Sequence, residues 1–228
     1  MHHDSAGPAA GKRTWRLLLP LLAILAIALI GHVLTRNGPT DIELGALRWF
    51  RLATDHTVIA GPAFMTDLWL ALTWLGDSEP RIAIAGLCVA VLTLVGRWRS
   101  AVFAAAVLVS GIALSTLLKH WIARPRPQVV AHLDQVGSAS FPSGHALNST
   151  LFYLLLAVLL GGLLRSRGAR CGLFAVALLL AIATGISRIA LGVHYPSDVI
   201  AGWLIAAAWL WFCWSLAAVR SLGIEDRK

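Results

Sequence analysis

The chain has 228 residues, of which 58% are hydrophobic and 13% are charged, and its formal net charge is +8. Soluble domains have about a quarter of their residues charged, so this composition excludes an ordinary water-soluble protein and indicates a membrane protein. The basic residues stand at the ends of apolar runs, where lipid head groups and the positive-inside bias account for them. We therefore expect the lipid bilayer as a partner and no nucleic-acid partner.

Six apolar runs are long enough to cross a bilayer, whose core of about 30 Å takes roughly 20 residues of helix. These runs are residues 15–35, 79–97, 100–118, 146–164, 170–188 and 198–218. The segment 40–78 instead mixes charged residues with tryptophans. Its first half is typical of an amphipathic helix lying in the interface, and its second half is predicted to lead into the second span. The predicted fold class is an all-α polytopic membrane protein with six transmembrane helices and an interfacial amphipathic helix after the first span.

The distribution of basic residues predicts the orientation of the chain. No polar linker divides the sequence, so residues 1–228 are expected to form a single membrane-embedded domain, with residues 1–14 as a flexible cytoplasmic tail. The short loops at 97–99 and 165–170 contain arginines and no acidic residue. The positive-inside rule places both loops, and both termini, on the cytoplasmic side. We expect a multi-pass protein of the cell inner membrane.

Polar residues gather in two loops on the opposite, outer face. In the second of these loops His194 and Asp198 are four positions apart, and Pro196 suits the first turn of a helix. Asp198 can accept a hydrogen bond from one imidazole nitrogen and leave the other free as a nucleophile or base. The alternative is an interfacial polar pair without a role. Asp198 is the only acidic residue between Asp134 and Glu225, so it does not belong to a solvated acidic face.

The first outer loop begins with basic residues. Lys119 and Arg126 are seven positions apart where the third span ends. An ammonium group and a guanidinium fork suit a phosphoryl group with three oxygens. The alternative is that these cations snorkel, with their stems along the bilayer and their charges in water. Arg124 and His120 fit the snorkelling role as well as any other.

The segment "PSGH" directly precedes the fourth span. Ser143 is a good N-cap, Gly144 lets the backbone approach a ligand closely, and the N–H groups of a helix start bind anions. Taken alone, a plain turn with an interfacial His145 explains this segment better. Together, however, the polar segments bring cations, including Arg188, N–H donors, two histidines and one carboxylate to the same membrane face. Phosphoryl transfer requires this set of groups.

The three segments resemble the signature of the type-2 phosphatidic acid phosphatase superfamily, which includes membrane lipid phosphate phosphatases and vanadium haloperoxidases. The matching patterns are K-x6-R-P at 119–127, P-S-G-H at 142–145 and S-R-x5-H-x3-D at 187–198. No signature position departs from the pattern. A soluble haloperoxidase is disfavoured, because six spans and short outer loops leave little room for a water-soluble vanadate domain.

The resemblance implies a role for each matching residue. His194 would attack phosphorus to form a phosphohistidine, Asp198 would orient it, and His145 would protonate the leaving oxygen and then activate water. The phosphoryl oxygens would be held by Lys119, Arg126, Ser143, Gly144 and Arg188. No cofactor and no metal is expected, because fixed cations can stabilise the charge of the transition state.

The predicted function is therefore that of an integral-membrane lipid phosphatase acting on the terminal phosphate of a lipid phosphate or diphosphate, on the periplasmic or outer side. Undecaprenyl diphosphate is the preferred substrate, by resemblance to compact bacterial members of the superfamily. Phosphatidylglycerol phosphate, phosphatidic acid and a lipid A phosphate are the other candidates. A lipid phosphotransferase with the same phosphohistidine is one alternative, and a six-span transporter of an anionic substrate is a less favoured one. The oligomeric state stays open.

Overall fold

The computed structural model describes the backbone of residues 8–219 and the side chains of residues 14–218. Residues 1–7 of the predicted tail lie outside this range. Within it the chain forms eight helices and one hairpin, in the order α1 (Pro8–Asn37), α2 (Asp41–Trp49), β1 (Arg51–Leu52), β2 (Asp55–Ile59), α3 (Phe64–Trp74), α4 (Ser78–Leu94), α5 (Trp98–Ile122), α6 (Gly144–Gly161), α7 (Arg167–Ala190) and α8 (Pro196–Val219).

The helices confirm the predicted class of an all-α multi-pass membrane protein. Each of the six predicted spans coincides with a helix, namely α1 and α4 to α8. Five of the described helices, α1 and α5 to α8, are long and apolar enough to cross a membrane. Helix α4 has 17 residues, which is near the lower limit of about 17 residues for a spanning helix. The predicted count of six spans is therefore approximate.

The segment after the first span contains the predicted amphipathic helix and more structure than the sequence indicated. Helix α2 begins with a capping box, in which Thr40 and Glu43 satisfy each other's backbone N–H groups. Ile42 and Trp49 lie exposed on its outer face. The chain does not continue directly into the second span: β1 and β2 form an antiparallel hairpin, and α3 packs against α7 before the turn into α4.

Helix α6 lies at the centre of the bundle, packed against α5, α7 and α8. Its residues Leu147, Leu151 and Leu155 join the main apolar core. Helix α8 approaches the start of α6 closely, because a Cβ at Gly202 would lie only 2.9 Å from the carbonyl oxygen of Ser143. Small residues allow this kind of close helix contact inside a membrane. The contact sets the N-terminal ends of α6 and α8 side by side.

Four helix ends meet at the same end of the bundle. They are the C-terminal ends of α5 and α7 and the N-terminal ends of α6 and α8. The backbone N–H of Ser143, just before α6, donates to the carbonyl oxygen of Asp198 in α8 at 2.9 Å. The loop 123–143 therefore packs over the short loop 191–195, and these two loops carry most of the polar residues described below.

Candidate active site

His194 lies in the tight connection between α7 and α8, where its residue is 2% exposed. The backbone N–H groups of Val193 and His194 both donate to the carbonyl oxygen of Arg188, at 3.1 and 3.3 Å, which closes the end of α7. Gly192 has a φ of +79°, and a Cβ there would lie 2.8 Å from the carbonyl oxygen of Ala131. A glycine is therefore needed at position 192 for loop 191–195 to pass beneath loop 123–143.

The partners of the His194 ring define its tautomer. Arg126 Nη1 lies 3.3 Å from His194 Nε2, and because a guanidinium group can only donate, Nε2 must accept with its lone pair. On the other side, Ser140 Oγ donates to Asp198 Oδ2 at 2.5 Å and lies 3.3 Å from His194 Nδ1. Ser140 is thus the acceptor for the Nδ1 proton. Asp198 Oδ2 itself lies 3.5 Å from Nδ1, so the carboxylate acts on this edge of the ring both directly and through Ser140.

Burial keeps the His194 ring neutral. It is the main cause that lowers the pKa of His194 to about 3; Asp198 opposes the shift, and the charges of Arg126 and Lys119 add to it. Burial likewise lowers the pKa of Arg126 to about 10, with a further contribution from Arg188. At neutral pH the site therefore pairs an uncharged imidazole with charged guanidinium groups, and Nε2 stays unprotonated, with its lone pair directed at Arg126.

Asp198 is fully buried, at 0% exposure, and accepts hydrogen bonds from several directions. Besides Ser140, the backbone N–H of Tyr195 donates to Oδ2 at 2.9 Å, and Arg124 Nη1 donates to Oδ1 at 2.7 Å. A carboxylate with this many donors stays ionised and fixed in place. It can therefore orient Ser140 and, through it, the His194 ring.

The structure corrects the snorkelling role considered for Arg124. Its side chain is 2% exposed and lies over the Tyr195 ring with 4.2 Å from Cζ to the centroid. Its Nη2 donates to both carboxylate oxygens of Glu43, each at 3.1 Å. Arg124 is buried because of the backbone at the end of α5, where Ala123 adopts the left-handed conformation with φ 51°. This turn directs the following residue into the protein. Glu43, which comes from α2, was not a site candidate in the sequence.

Three cations surround this centre, and two of them, Lys119 and Arg126, are held mainly by carbonyl oxygens. Lys119 Nζ donates to Ala139 O at 2.5 Å. Arg126 donates to the carbonyl oxygens of Ser138 and Val193, at 2.8 and 2.7 Å. Because a carbonyl neutralises no charge, the positive charges of Lys119 and Arg126 stay uncompensated by these contacts. Such a group of cations is suited to bind an anion.

Arg188, the third cation, is 1% exposed and reaches from the last turn of α7 to two other elements. Its Nη1 donates to Thr73 Oγ1 in α3 and to Asp134 Oδ2 in loop 123–143, at 2.5 Å. Its Nε is buried and has no hydrogen-bond partner among the described residues. A buried guanidinium N–H without an acceptor favours the binding of a ligand that offers an acceptor oxygen.

The residues of the PSGH segment lie where α6 begins. Ser143 is the N-cap, as the sequence predicts, with its Oγ accepting from the backbone N–H of Ala146 at 3.4 Å. A Cβ at Gly144 would lie 3.5 Å from Lys119 Cε, so the first helical N–H groups lie beside the Lys119 side chain. His145 follows on the first turn, and its Nε2 lies 2.8 Å from Asp77 Oδ1 in the α3–α4 turn.

The structure therefore brings Lys119, Arg126, His194 and Asp198 into one connected cluster, with Gly144 beside Lys119. It also adds polar residues that the sequence analysis had not placed in the site. These are Glu43, Asp77, Arg124, Asp134 and Ser140. Their only signal in the sequence is polarity in a hydrophobic chain. Within the described residues, no group of three or more His, Cys, Asp or Glu side chains could hold a metal ion.

The sequence is similar to a family profile and to curated proteins from two bacteria. A profile of the PAP2 superfamily matches residues 100–221, which include all three polar segments. Phosphatidylglycerophosphatase B of Bacillus subtilis (strain 168) is 39% identical over 90 residues, covering 39% of this chain and 44% of that protein. A lipid A 1-phosphatase of Rhizobium etli is 30% identical over 190 residues, covering 71% of this chain and 76% of that protein.

The fold is also shared with a solved structure. The crystal structure of a transmembrane PAP2-type phosphatidylglycerolphosphate phosphatase from Bacillus subtilis superposes with a TM-score of 0.73 at 23% identity, covering 94% of this chain and 100% of that one. The chain spans about half the length of most of the curated relatives that it matches. Since the profile extends over more than half of the 228 residues, the chain belongs to the PAP2 superfamily.

Proposed function

We propose that this protein is an integral-membrane lipid phosphatase that removes the terminal phosphate of a lipid phosphate or diphosphate through a phosphohistidine at His194. The observation that carries the proposal is a neutral imidazole whose Nε2 lone pair faces Arg126 at 3.3 Å, in a cluster of cations. A nucleophile of this kind beside fixed positive charge suits attack on an anionic phosphoryl group. The relatives named above, a phosphatidylglycerophosphatase and a lipid A 1-phosphatase, support the substrate class.

In the first step His194 Nε2 forms a bond to phosphorus while the bond from phosphorus to the leaving oxygen breaks. The ring gains positive charge as it does so, and its Nδ1 proton stays hydrogen-bonded toward Ser140 and Asp198. The buried carboxylate stabilises that charge. His145 donates a proton to the leaving oxygen, so the lipid alcohol or lipid monophosphate departs with that oxygen protonated.

In the second step water attacks the phosphohistidine. His145, which lost its proton in the first step, accepts one from the attacking water, and the bond between phosphorus and Nε2 breaks. Inorganic phosphate leaves and His194 returns to its neutral form. A second lipid alcohol in place of water would make the enzyme a phosphotransferase, which uses the same groups.

The charge of both transition states lies on the oxygens around phosphorus. We assign their stabilisation to side chains and backbone N–H groups that converge from α5, α6, α7 and loop 123–143. These residues are Lys119, Arg126, Ser143, Gly144 and Arg188. The bond from Lys119 to a carbonyl oxygen and the bond from Arg126 to His194 Nε2 would be exchanged for stronger, charge-assisted bonds to phosphoryl oxygens.

The substrate is proposed to enter from the bilayer, because the cluster lies at the ends of the spanning helices. Undecaprenyl diphosphate is the preferred lipid, by resemblance to compact bacterial members of the family.

The proposal takes residues 1–228 as one membrane-embedded domain. It places the protein in the inner membrane with cytoplasmic termini and the site on the periplasmic or outer side, because the acid-free arginine loops at 97–99 and 165–170 lie at the other end of the bundle.

The test is a phosphate-release panel with purified protein in detergent. The substrates are undecaprenyl diphosphate, phosphatidylglycerol phosphate, phosphatidic acid and a lipid A phosphate. We expect inorganic phosphate from at least one lipid and the highest rate with undecaprenyl diphosphate. Transfer of the phosphoryl group to a second lipid without free phosphate would favour the phosphotransferase. Uptake of an anion into vesicles without hydrolysis would favour the transporter.

Phosphate release is expected to continue unchanged in EDTA. The reason is that Lys119, Arg126 and Arg188 supply the positive charge that a divalent cation would otherwise provide. The measurement compares initial rates before and after dialysis against EDTA, with magnesium added back to a second sample. Loss of activity that returns with magnesium would contradict the assignment of charge stabilisation to these side chains.

Arg126→Lys is expected to lower kcat/KM for phosphate release by about 10- to 100-fold, a loss of about 1.4 to 2.7 kcal/mol of transition-state stabilisation. Lysine keeps the charge. It lacks the planar guanidinium group with which Arg126 can bond the carbonyl oxygen of Val193 and a phosphoryl oxygen at the same time. The matched control is Arg48→Lys, an exposed arginine in α2, which should keep the wild-type rate. A near-neutral Arg126→Lys would count against direct contact with phosphate.

A further inference from the structure

His145 is paired with a carboxylate that lies outside all three polar segments. Asp77 Oδ1 is 2.8 Å from His145 Nε2, and the two residues are 68 positions apart in the chain. We propose that Asp77 is the positioning residue of His145: it holds the proton on Nε2 and leaves Nδ1 to carry the proton that is exchanged with the leaving group and with water. This inference rests on the phosphatase reaction proposed above.

The turn that presents Asp77 is fixed by side chains from two helices. Tyr153 Oη in α6 donates to Leu75 O at 2.7 Å. Arg81 Nε in α4 donates to Gly76 O at 2.8 Å. The two consecutive carbonyl groups that precede Asp77 are therefore both bonded. A carboxylate mounted on a turn held in this way has a defined position relative to α6.

The same turn packs directly against the ring of His145. A Cβ at Gly76 would lie 2.2 Å from Thr184 Cγ2, 2.9 Å from Ser149 Oγ and 3.1 Å from His145 Cδ2. Cδ2 is bonded to Nε2, so the turn meets the edge of the ring that faces Asp77. Only glycine allows this approach, and the contact leaves the opposite edge, with Nδ1, directed away from the turn.

The hydrogen bond to Asp77 fixes the tautomer of His145. The bond from His145 is the main cause that lowers the pKa of Asp77 below its usual value, so the carboxylate is ionised and accepts from Nε2–H. His194 has the opposite arrangement, with its proton on Nδ1 and its lone pair on Nε2. The two histidines thus hold opposite tautomers, which suits one ring to be a nucleophile and the other a proton carrier.

Asp77 also offsets the positive charge around His145. Cations in α4, α5 and α7 face the first turn of α6, and a protonated imidazole is disfavoured near them. The charged and titratable groups on the elements packed around His145 are Asp77, Arg81, Lys119, Tyr153 and Arg188. Without the carboxylate, the imidazolium that protonates the leaving oxygen would face the cations Arg81 and Arg188 with no opposing charge.

The test variant is Asp77→Asn, which keeps the size of the side chain and removes its charge. We expect kcat to fall by about 10- to 100-fold with KM within about twofold of wild type, because proton transfer is impaired and binding is not. The alkaline limb of the kcat–pH profile should move to lower pH by about one unit, since the protonated ring loses its partner. Asp77→Glu should recover part of kcat.

The matched control is Glu79→Gln, two positions further on, where the side chain is exposed. This variant loses the same charge from the first turn of α4, directly after Asp77, and should keep the wild-type kcat and pH profile. Equal losses in the two variants would mean a general electrostatic effect and would overturn the role of Asp77. Thermal melting of each variant in detergent checks that the fold is intact.

A second readout separates this inference from the proposed function. The ring nitrogens of His145 are followed by 15N NMR in protein without substrate, for wild type and Asp77→Asn. A change of tautomer or of titration midpoint in the variant supports the link between Asp77 and His145 even if no lipid is hydrolysed. Identical titrations in the two proteins overturn the inference, whereas an inactive wild type overturns only the proposed function.

Discussion

His194→Ala is expected to abolish phosphate release, with kcat lowered by about 10⁴-fold or more, because the proposed nucleophile is removed. The measurement is the initial rate of phosphate release from the best lipid of the panel. A second measurement traps the intermediate: wild-type protein mixed with labelled lipid and denatured in alkali should retain acid-labile phosphate, and the variant should retain none.

The matched control for this variant is His120→Ala. His120 is exposed on the last turn of α5, where its Nδ1 lies 2.8 Å from Thr116 O, and it contacts none of the proposed catalytic residues. It should keep the wild-type rate. Because His194 is buried, the variant must also be shown to stay folded in detergent. Retention of near-full activity by folded His194→Ala would remove the nucleophile assignment.

Arg124→Met is expected to give the largest loss of stability, about 3 to 5 kcal/mol, because removing one partner of a buried ion pair leaves uncompensated charge. Here two carboxylates lose their partner, since Arg124 bonds both Glu43 and Asp198. Thermal melting in detergent should show a clear fall in Tm. Turnover should fall as well, because Asp198 would no longer be held against Ser140.

Two further variants test the cause of that loss. Arg48→Met removes an exposed arginine from α2 and should leave Tm unchanged. Adding Glu43→Gln to Arg124→Met removes one of the uncompensated charges, so the double variant should melt above the single one. A single variant that melts with the wild type would show that the Glu43–Arg124–Asp198 contacts contribute little to stability.

The contact of α2 with the polar cluster around His194 was not foreseen from the sequence. Glu43 belongs to the capping box of α2, in which its Oε2 accepts from Thr40 N at 3.0 Å. The same carboxylate bonds Arg124 and accepts from Ser197 Oγ. One glutamate therefore both caps α2 and bonds Arg124. The spacing of Thr40 and Glu43 indicates only the capping role. The bond to Arg124 depends on α2 lying against the start of α8.

The sequence by itself determined the parts of this protein that depend on local order. Apolar runs of spanning length predicted the helices, because a bilayer forces every backbone group into internal hydrogen bonds. The motif spacings predicted Ser143 as the cap of α6 and the return of Asp198 toward His194. These features involve residues within a few positions of one another. The chemical roles of the site residues stay predictions that the variants above will test.

The tertiary structure alone decided which distant polar groups meet. Arg124 and Glu43 are 81 positions apart, and Asp77 and His145 are 68 apart. Their pairing follows from helix packing, from a left-handed residue at Ala123 and from a glycine at 76 that allows backbone to touch an imidazole ring. A buried charge must find a partner, but the sequence does not show which one, because the partner is selected by the geometry of the assembled helices.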